Sequence, residues 1–138
     1  MTREYPAKII RVVDGDTVDA EIDLGFDITL RKRVRLYGID TPESRTSDPV
    51  EKRFGLLATH ELNTRLQDTD YYVSLKTFGE DKFGRVLGEL WQLNENLNQW
   101  LVDEHHAVAY TGEINRNDLR TQHHQNRIAL MSSTNRSP

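Results

Sequence analysis

The first forty residues alternate between apolar and polar positions, which is the pattern of strands that bury one face. Residues 7–13 are rich in β-branched side chains and predict a first strand, and residues 17–23 predict its partner. The Asp14-Gly15 pair between them favours a tight hairpin turn, because both residue types tolerate positive φ. A third strand is predicted over residues 28–39, with four positions on its apolar face: Ile28, Leu30, Val34 and Leu36.

A helical period replaces this alternation after residue 47. Asp48-Pro49 predicts a helix start, because Asp is a preferred N-cap and Pro fits the first helical position. Glu51 stands three residues after that cap, as in a capping box. An apolar stripe at helical spacing then runs to about Gln67, through Phe54, Leu57, Ala58, Leu62 and Leu66.

The rest of the chain predicts two more strands and two more helices, over residues 71–77, 85–93, 95–105 and 117–131, and a frayed end over residues 132–138. The sequence contains no linker, internal repeat or low-complexity block, so residues 1–138 are expected to form one domain. Five short strands with about three helices define an α+β fold. The five-stranded oligonucleotide-binding (OB-fold) barrel has that strand count.

Composition and charge narrow the class of protein. The chain has 36% hydrophobic and 29% charged residues, as in a globular protein, and no apolar run near the roughly 18 residues of a membrane span. An apolar signal-peptide core is not seen, so the expected location is the cytoplasm or the interior of a host cell, with secretion by another route left open. The net charge of −4 argues against a nucleic-acid coat protein, but not against an enzyme with a local basic cleft.

Candidate chemistry is concentrated at the end of the third predicted strand. Arg35 lies on the strand, and Asp40 and Thr41 lie at its end. Glu43 follows Pro42, whose fixed φ stiffens the backbone as the chain turns. The segment therefore holds two carboxylates and a guanidinium on a stiff piece of chain.

Two other short segments supply groups that suit the same site. Asp16 and Asp40 both end strands of one sheet, so two carboxylates, a backbone carbonyl and waters could form an oxygen cage for Ca²⁺. Arg35 and Arg85 suit phosphate binding, because a planar guanidinium can grip two phosphate oxygens at once. Beside a metal ion and a phosphate, Glu43 becomes a candidate general base that removes a proton from water.

Each of these residues has a more ordinary interpretation when it is taken alone. Asp40 could simply cap a turn before proline, Glu43 could be a surface glutamate, and Arg35 could lie on a solvated strand face. The histidine pairs at 105–106 and 123–124 do not favour a zinc site, because adjacent residues point to different faces of a helix.

The three segments together resemble one family. They are Asp14-Gly15-Asp16-Thr17, Arg35 with Asp40-Thr41-Pro42-Glu43, and Asp81-Lys82-Phe83-Gly84-Arg85. Their order and spacing are similar to those of the thermonuclease, or staphylococcal nuclease-like, family. The resemblance covers roughly residues 7–111, with a looser tail helix. Each segment is weak evidence by itself, whereas the set is highly specific.

The resemblance implies a five-stranded barrel with three helices and a Ca²⁺-dependent endo- and exonuclease activity. The implied substrates are DNA and RNA, with single strands preferred, and cleavage of the 5′ P–O bond would leave 3′-phosphate ends. Asp16 and Asp40 would bind Ca²⁺ through their carboxylates, and Thr41 would bind it through its carbonyl oxygen.

The resemblance also implies roles for the remaining motif residues. Arg35 and Arg85 would bind and polarise the phosphate, and Glu43 would assist the attacking water. Three further residues are implied contacts to the substrate: Lys82, Phe83 and Tyr110. Phe83 departs from the family's type member, which has a tyrosine there, so one hydroxyl contact is missing.

The alternative hypothesis is a protein of a different class. It is a non-catalytic module, a nuclease-like or OB-fold barrel that only binds nucleic acid or protein. Such copies usually lose carboxylates or arginines that are all present here, so the enzyme is favoured. The expected protein is a monomer that acts on nucleic acid and not on a membrane. Acidic side chains outnumber basic ones over residues 1–110, which predicts contact with only a few phosphates near Arg35 and Arg85 and a shallow salt dependence.

Overall fold

The computed structural model describes residues 2–135 of the chain. A long hairpin begins the fold, in which β1 (Arg3–Asp14) and β2 (Thr17–Asp23) pair antiparallel. The turn between them lies where the sequence predicts it, but Gly15 does not have the positive φ that an Asp-Gly pair favours. Close packing requires the glycine instead, because a Cβ at Gly15 would lie 2.8 Å from the Ala58 Cβ, which is too close.

Five strands close into a barrel. Besides the first hairpin, β2 pairs with β3 (Thr29–Leu36), β1 with β5 (Tyr72–Glu80) and β5 with β6 (Val86–Gln92), all antiparallel. β3 and β6 then run parallel over three residue pairs, here called the barrel seam: Val34 with Val86, Arg35 with Leu87, and Leu36 with Gly88. The closed order β3-β2-β1-β5-β6, with three helices, confirms the predicted α+β OB-fold barrel.

The third strand is shorter than predicted. It ends at Leu36 rather than at residue 39, because the chain turns at Gly38, which adopts a left-handed φ of +79°. The next strand, β4 (Ile39–Asp40), leaves the barrel sheet and pairs with β8 (Val108–Ala109). Asp40, the last residue of β4, therefore lies on a separate two-stranded sheet.

The predicted apolar face of β3 is only half buried. Val34 and Leu36 are fully buried, whereas Ile28 and Leu30 are 55% and 41% exposed. The parallel pairing with β6 covers β3 only over residues 34–36, so the earlier half of the apolar face lies outside the closed part of the barrel. The alternation of apolar and polar positions predicted the correct face of β3, but not how much of that face β6 covers.

The first helix matches its prediction at both ends. α1 (Pro49–Gln67) begins after Asp48, whose carboxylate accepts hydrogen bonds from the N–H groups of Val50 and Glu51 at 3.0 and 3.3 Å. An N-cap of this kind satisfies backbone donors that have no partner within the helix. The buried face of α1 contains Phe54, Gly55, Ala58, Leu62 and Leu66.

The other two helices differ from their predicted bounds. α2 (Leu97–Asp103) is shorter at both ends, because β7 (Glu95–Asn96) pairs with β6 and His105 adopts a φ of +66°, which a helix cannot continue. α3 (Arg116–Asn135) starts one residue earlier and ends four residues later than predicted. The side chains of residues 133–135 are not described, and residues 136–138 of the predicted frayed end lie outside the described residues.

The core fills the barrel and the space beneath the first two helices. Its largest fully buried side chains are Ile9, Val18, Val34, Leu36, Leu62, Leu66, Leu75, Leu90, Leu97 and Leu101. Strands and helices both contribute, so the helices and the barrel share one core. Within residues 2–135, no helix is long and apolar enough to cross a membrane.

The buried side-chain amide of Asn98 stabilises the barrel seam. The Asn98 Nδ2 group donates hydrogen bonds to the carbonyl oxygens of Tyr37 and Gly88, both at 3.0 Å, and its Oδ1 accepts one from the Leu90 N–H at 3.2 Å. Asn98 is 2% exposed, so water cannot replace these bonds. The side chain therefore ties the turn after β3 to strand β6.

We expect Asn98→Ala to lower the free energy of unfolding by about 3 kcal/mol, since it removes three hydrogen bonds of about 1 kcal/mol each and leaves their partners buried. Urea denaturation measures this change. The neighbouring exposed Gln99→Ala is the control and should stay within about 0.5 kcal/mol of the parent protein. Equal stability of the two variants would show that Asn98 does not support the seam.

Candidate active site

The carboxylate of Asp16 lies at the centre of the candidate site, buried in the turn between β1 and β2. Its Oδ1 accepts a hydrogen bond from the Thr17 hydroxyl at 3.0 Å, and its Oδ2 accepts one from the Thr41 backbone N–H at 3.1 Å. A charge withdrawn from water needs such partners, because burial without them is costly. The bond from Thr41 also joins the first hairpin to the segment that follows β4.

Arg35 supplies the positive charge that Asp16 requires. Its Nη2 lies 3.4 Å from Asp16 Oδ2 and 3.6 Å from Asp40 Oδ1. Its Nη1 donates to the carbonyl oxygens of Leu36 at 3.0 Å and Asp16 at 3.4 Å, which fixes the orientation of the guanidinium. The structure thus brings Asp16, Arg35 and Asp40 together around one nitrogen atom.

Asp40 has a second partner that the sequence does not predict. The Nε2 atom of His123, on α3, lies 2.8 Å from Asp40 Oδ2. The His123 side chain is 11% exposed, whereas the adjacent His124 is exposed, in line with the expectation that neighbouring histidines face different ways. His123 therefore contacts a carboxylate of the site, and no pair of adjacent histidines acts together there.

Glu43 is positioned by contacts of its own backbone and of the next residue. The Ser44 hydroxyl donates a hydrogen bond to the Asp14 carboxylate, which ties this segment to the end of β1. On the other side, α1 packs directly against the backbone of Glu43. A Cβ on Gly55 would lie 2.5 Å from both the carbonyl carbon and the carbonyl oxygen of Glu43.

The carboxyl group of Glu43 has a pKa above its ordinary value. Partial desolvation is the main cause, and the negative charges of Asp16, Asp14, Asp40 and Glu51 add to it in that order. The residue as a whole stays exposed, so solvent can reach the carboxyl group. A raised pKa makes a carboxylate a better proton acceptor, which suits a general base.

Asp81 organises the loop that carries Arg85. Its Oδ1 accepts hydrogen bonds from the N–H groups of Phe83 and Arg85 at 2.9 and 3.0 Å. Its Oδ2 accepts one from Arg85 Nε at 2.6 Å. Asp81 therefore fixes both the backbone of the loop and the direction of the arginine.

A pocket of about 240 Å³ contains three of the predicted site residues, Arg35, Arg85 and Tyr110. Lys82 and Phe83 do not line it and lie at the tip of the loop instead. Phe83 is 72% exposed, and the Lys82 ammonium and the Arg85 guanidinium carbon lie 5.3 and 5.5 Å from the centre of its ring. The two predicted phosphate-binding arginines thus share one cavity, which Tyr110 also lines.

A second cleft, of about 550 Å³, contains Asp40 and Glu43. Glu51 stands beside them, and the inner face of α3 forms the opposite wall with Arg116, Leu119, Arg120, His123 and Arg127. The two cavities share no lining residue, but Arg35 in the first contacts Asp40 in the second. They therefore meet at this ion pair.

The acidic groups fit a hard cation in part. Asp16 and Asp40 direct carboxylate oxygens towards one point, and oxygen atoms are the ligands that Ca²⁺ prefers. Within residues 2–135, no three His, Cys, Asp or Glu side chains are close enough to hold a metal ion by themselves. A cation bound here would need further ligands, from the Thr41 carbonyl, from water or from a phosphate.

Three supporting residues of the site were not found by sequence reasoning: Ser44, Gly55 and His123. Gly55 did carry a signal, because a glycine inside a helix costs about 1 kcal/mol relative to alanine and so needs a packing reason. His123 carried none, since 83 residues separate it from Asp40 along the chain. Contacts over such distances follow from the fold and not from a local pattern.

Comparison with known proteins assigns the family. Residues 33–130 match the model of the family described as Staphylococcal nuclease homologue. The Thermonuclease of Staphylococcus intermedius is 33% identical over 99 residues, which cover 72% of this chain and 56% of that protein. The Endonuclease YhcR of Bacillus subtilis (strain 168) is 32% identical over 114 residues, which cover 78% of this chain and 9% of that protein.

An uncharacterized endonuclease of Escherichia coli is 28% identical over 104 residues, which cover 75% of this chain and 60% of that protein. This chain belongs to the family of staphylococcal nuclease homologues. It spans less than two thirds of the length of the curated relatives that it matches here.

Gly55→Ala tests the close packing of α1 against Glu43. Alanine favours helices, yet the new Cβ would overlap the Glu43 carbonyl, and overpacking of this kind costs about 1–3 kcal/mol. We expect the free energy of unfolding to fall by that amount in urea denaturation, and the amide resonances of residues 43–44 to shift. Lys52→Ala, at an exposed position of the same helix, is the control. A more stable Gly55→Ala protein would show that the helix does not press on Glu43.

Proposed function

We propose that this protein is a nuclease that hydrolyses phosphodiester bonds of DNA and RNA, with single strands preferred. The sharing of Arg35 by Asp16 and Asp40 carries the proposal, because it places a phosphate-binding cation beside two potential metal ligands. Relatives named Thermonuclease and Endonuclease support the same reaction class. The alternative is a non-catalytic binding module, and such a module would not require these charges to lie so close together.

The arginines would bind the phosphate from two elements of the barrel. Arg35 is fixed by the carbonyl oxygens of Leu36 on β3 and of Asp16 in the first turn, so its guanidinium does not need to reorganise. Arg85 uses its Nε for Asp81, and within the described residues its two Nη groups have no hydrogen-bond partner. Those groups would be left for the phosphate oxygens.

Glu43 would act as the general base. It would accept a proton from the attacking water, whose oxygen forms the new bond to phosphorus as the P–O5′ bond breaks. One product would then keep a 3′-phosphate, and the departing O5′ would take up a proton from solvent to become a 5′-hydroxyl group. The exposed position and the raised pKa of Glu43 support this role.

Ca²⁺ is the proposed cofactor, with Asp16, Asp40 and the Thr41 carbonyl as its protein ligands. When bound, such a cation would offset the negative charge that develops on the phosphate. Lys82, Phe83 and Tyr110 remain proposed substrate contacts, of which Tyr110 lines the pocket with the arginines. Action as a monomer inside a cell stays a prediction from the sequence.

The direct test is cleavage of a single-stranded DNA oligonucleotide and of an RNA of the same sequence. We expect cleavage of both in Ca²⁺, full loss of activity with excess chelator, and recovery when Ca²⁺ is restored, because the two carboxylates are hard oxygen ligands. Asp16→Asn should raise the Ca²⁺ concentration that is required. Binding of the oligonucleotide without cleavage in Ca²⁺ would favour the non-catalytic module instead.

Glu43→Gln separates the general base from the metal ligands. We expect kcat to fall by roughly 10²–10⁴-fold, the range typical of a lost general base. Calorimetric titration should show little change in Ca²⁺ affinity, since Glu43 is not a proposed ligand, whereas Asp40→Asn should weaken it. Normal turnover by the glutamine variant would remove Glu43 from the mechanism.

A further inference from the structure

We propose, on the basis of the nuclease function above, that the inner face of α3 is a second phosphate-binding surface. It would hold the part of the strand that extends past the phosphate being cleaved. The surface consists of Arg116, Arg120 and Arg127 and is called the α3 arginine face. Its ligand would be the sugar-phosphate backbone of a single-stranded polynucleotide, bound without regard to base sequence.

The spacing along α3 places these arginines on one side of the helix. Residues 116, 120, 123 and 127 follow one another at intervals of four, three and four, which aligns them on a single helical face. All four line the cleft that also contains Asp40 and Glu43. From 116 to 127 the helix rises by roughly 16 Å, so the face is long enough for more than one phosphate.

Specific contacts hold α3 with this face towards the site. The Asn126 Nδ2 group donates a hydrogen bond to the Ala107 carbonyl at 3.1 Å. His123 contacts Asp40, and the Arg127 guanidinium carbon lies 5.7 Å from the centre of the Phe54 ring. The helix is therefore tied to a site residue, to the segment before β8 and to α1.

The guanidinium groups of this face are available to a ligand. Arg116 and Arg120 are exposed, and neither has an ion pair or a side-chain hydrogen bond within the described part of the chain. Arg127 is half-buried, and its Nε is buried with no hydrogen-bond partner among the described residues. The exposed arginines of β3 differ in this respect, because Arg31 pairs with Glu21 at 3.4 Å and Arg33 pairs with Asp19 at 2.9 Å.

The arginines could instead serve only to balance the acidic wall of the cleft, which carries Asp40, Glu43 and Glu51. Direct pairing would then be expected, but in the described residues Asp40 pairs with Arg35 and His123 and not with the α3 arginine face. A space of about 550 Å³ lies between the two walls, beside the point where His123 contacts Asp40. That volume is within the range of ligand-binding clefts and suits the proposed nucleotide ligand.

With the α3 arginine face, the substrate-binding site is longer than the few phosphate contacts near Arg35 and Arg85 that the net charge predicted. The pocket of Arg35 and Arg85 meets the α3 cleft at the contact between Arg35 and Asp40, so a strand can pass from one to the other. Phosphate contacts away from the reacting bond add affinity and salt dependence but do not take part in bond cleavage. The effect of the face should therefore appear in binding and KM and not in kcat.

The test compares two double variants that remove the same charge. Arg116→Gln with Arg120→Gln alters the α3 arginine face, and Arg3→Gln with Arg11→Gln alters two exposed arginines that do not line the cleft. Fluorescence anisotropy measures the binding of a labelled twelve-nucleotide oligothymidylate in excess chelator across a NaCl series. Nothing is cleaved under these conditions if the proposed Ca²⁺ requirement holds.

For the α3 variant we expect the Kd to rise roughly tenfold at low salt, because a solvent-exposed ion pair with a phosphate is lost at each of the two positions. The slope of log Kd against log salt should become shallower by about 1.4, which corresponds to two phosphates of a single strand. In Ca²⁺, kcat for the oligonucleotide and the cleavage rate of a thymidine dinucleotide with one phosphate should be unchanged.

Equal changes of Kd and of salt slope in the two double variants would show that only net charge matters and would overturn the proposal. An unchanged Kd and slope in the α3 variant would also overturn it. Loss of dinucleotide cleavage would mean that the substitutions damage the site itself, which counts against a separate surface. If the parent protein binds the oligonucleotide but cleaves nothing in Ca²⁺, the proposed nuclease function fails, while the binding comparison still decides for or against the α3 arginine face.

Discussion

The burial of one carboxylate constrains the whole site. Asp16 sits in a tight turn away from water, and a charge in that position is stable only with a cation and hydrogen-bond donors around it. Arg35 provides the cation from the neighbouring strand β3, and the Thr41 N–H arrives from the segment beyond β4. Asp40 completes the arrangement by sharing the guanidinium of Arg35. The charges of the site thus hold three separate parts of the chain in register.

The packing of α1 links that charge cluster to the core. Gly15 and Gly55 leave no room for a Cβ, since Ala58 presses on the first turn and the backbone of Glu43 presses on the helix. The same helix buries Leu62 and Leu66 inside the barrel core. A single rigid element therefore fixes the backbone beside the proposed base and closes the apolar interior, so stability and site geometry are not independent here.

Local signals in the sequence were sufficient for much of this structure. The N-cap at Asp48, the first hairpin and the five strands of the barrel all follow from patterns within a few residues, and the motif segments brought Asp16 and Arg35 together. Long-range features were not accessible in the same way. The contact of His123 with Asp40 depends on how α3 docks, which has no local signature. The exposure of half of the apolar face of β3 likewise depends on how far β6 extends.

The barrel seam has a consequence for the dynamics of the protein. Only three parallel residue pairs join β3 to β6, and one of them contains Arg35 itself. Local opening of a native protein starts where few backbone bonds must break, and a short parallel pairing is such a place. Transient separation there would open the β6 side of Arg35 to water, while the antiparallel pairing of Thr17 with Arg35 keeps the guanidinium beside Asp16. Opening of this strand pair would be a sub-global fluctuation, and amide hydrogen exchange would report on it at Tyr37, whose N–H donates to the Gly88 carbonyl at 2.7 Å.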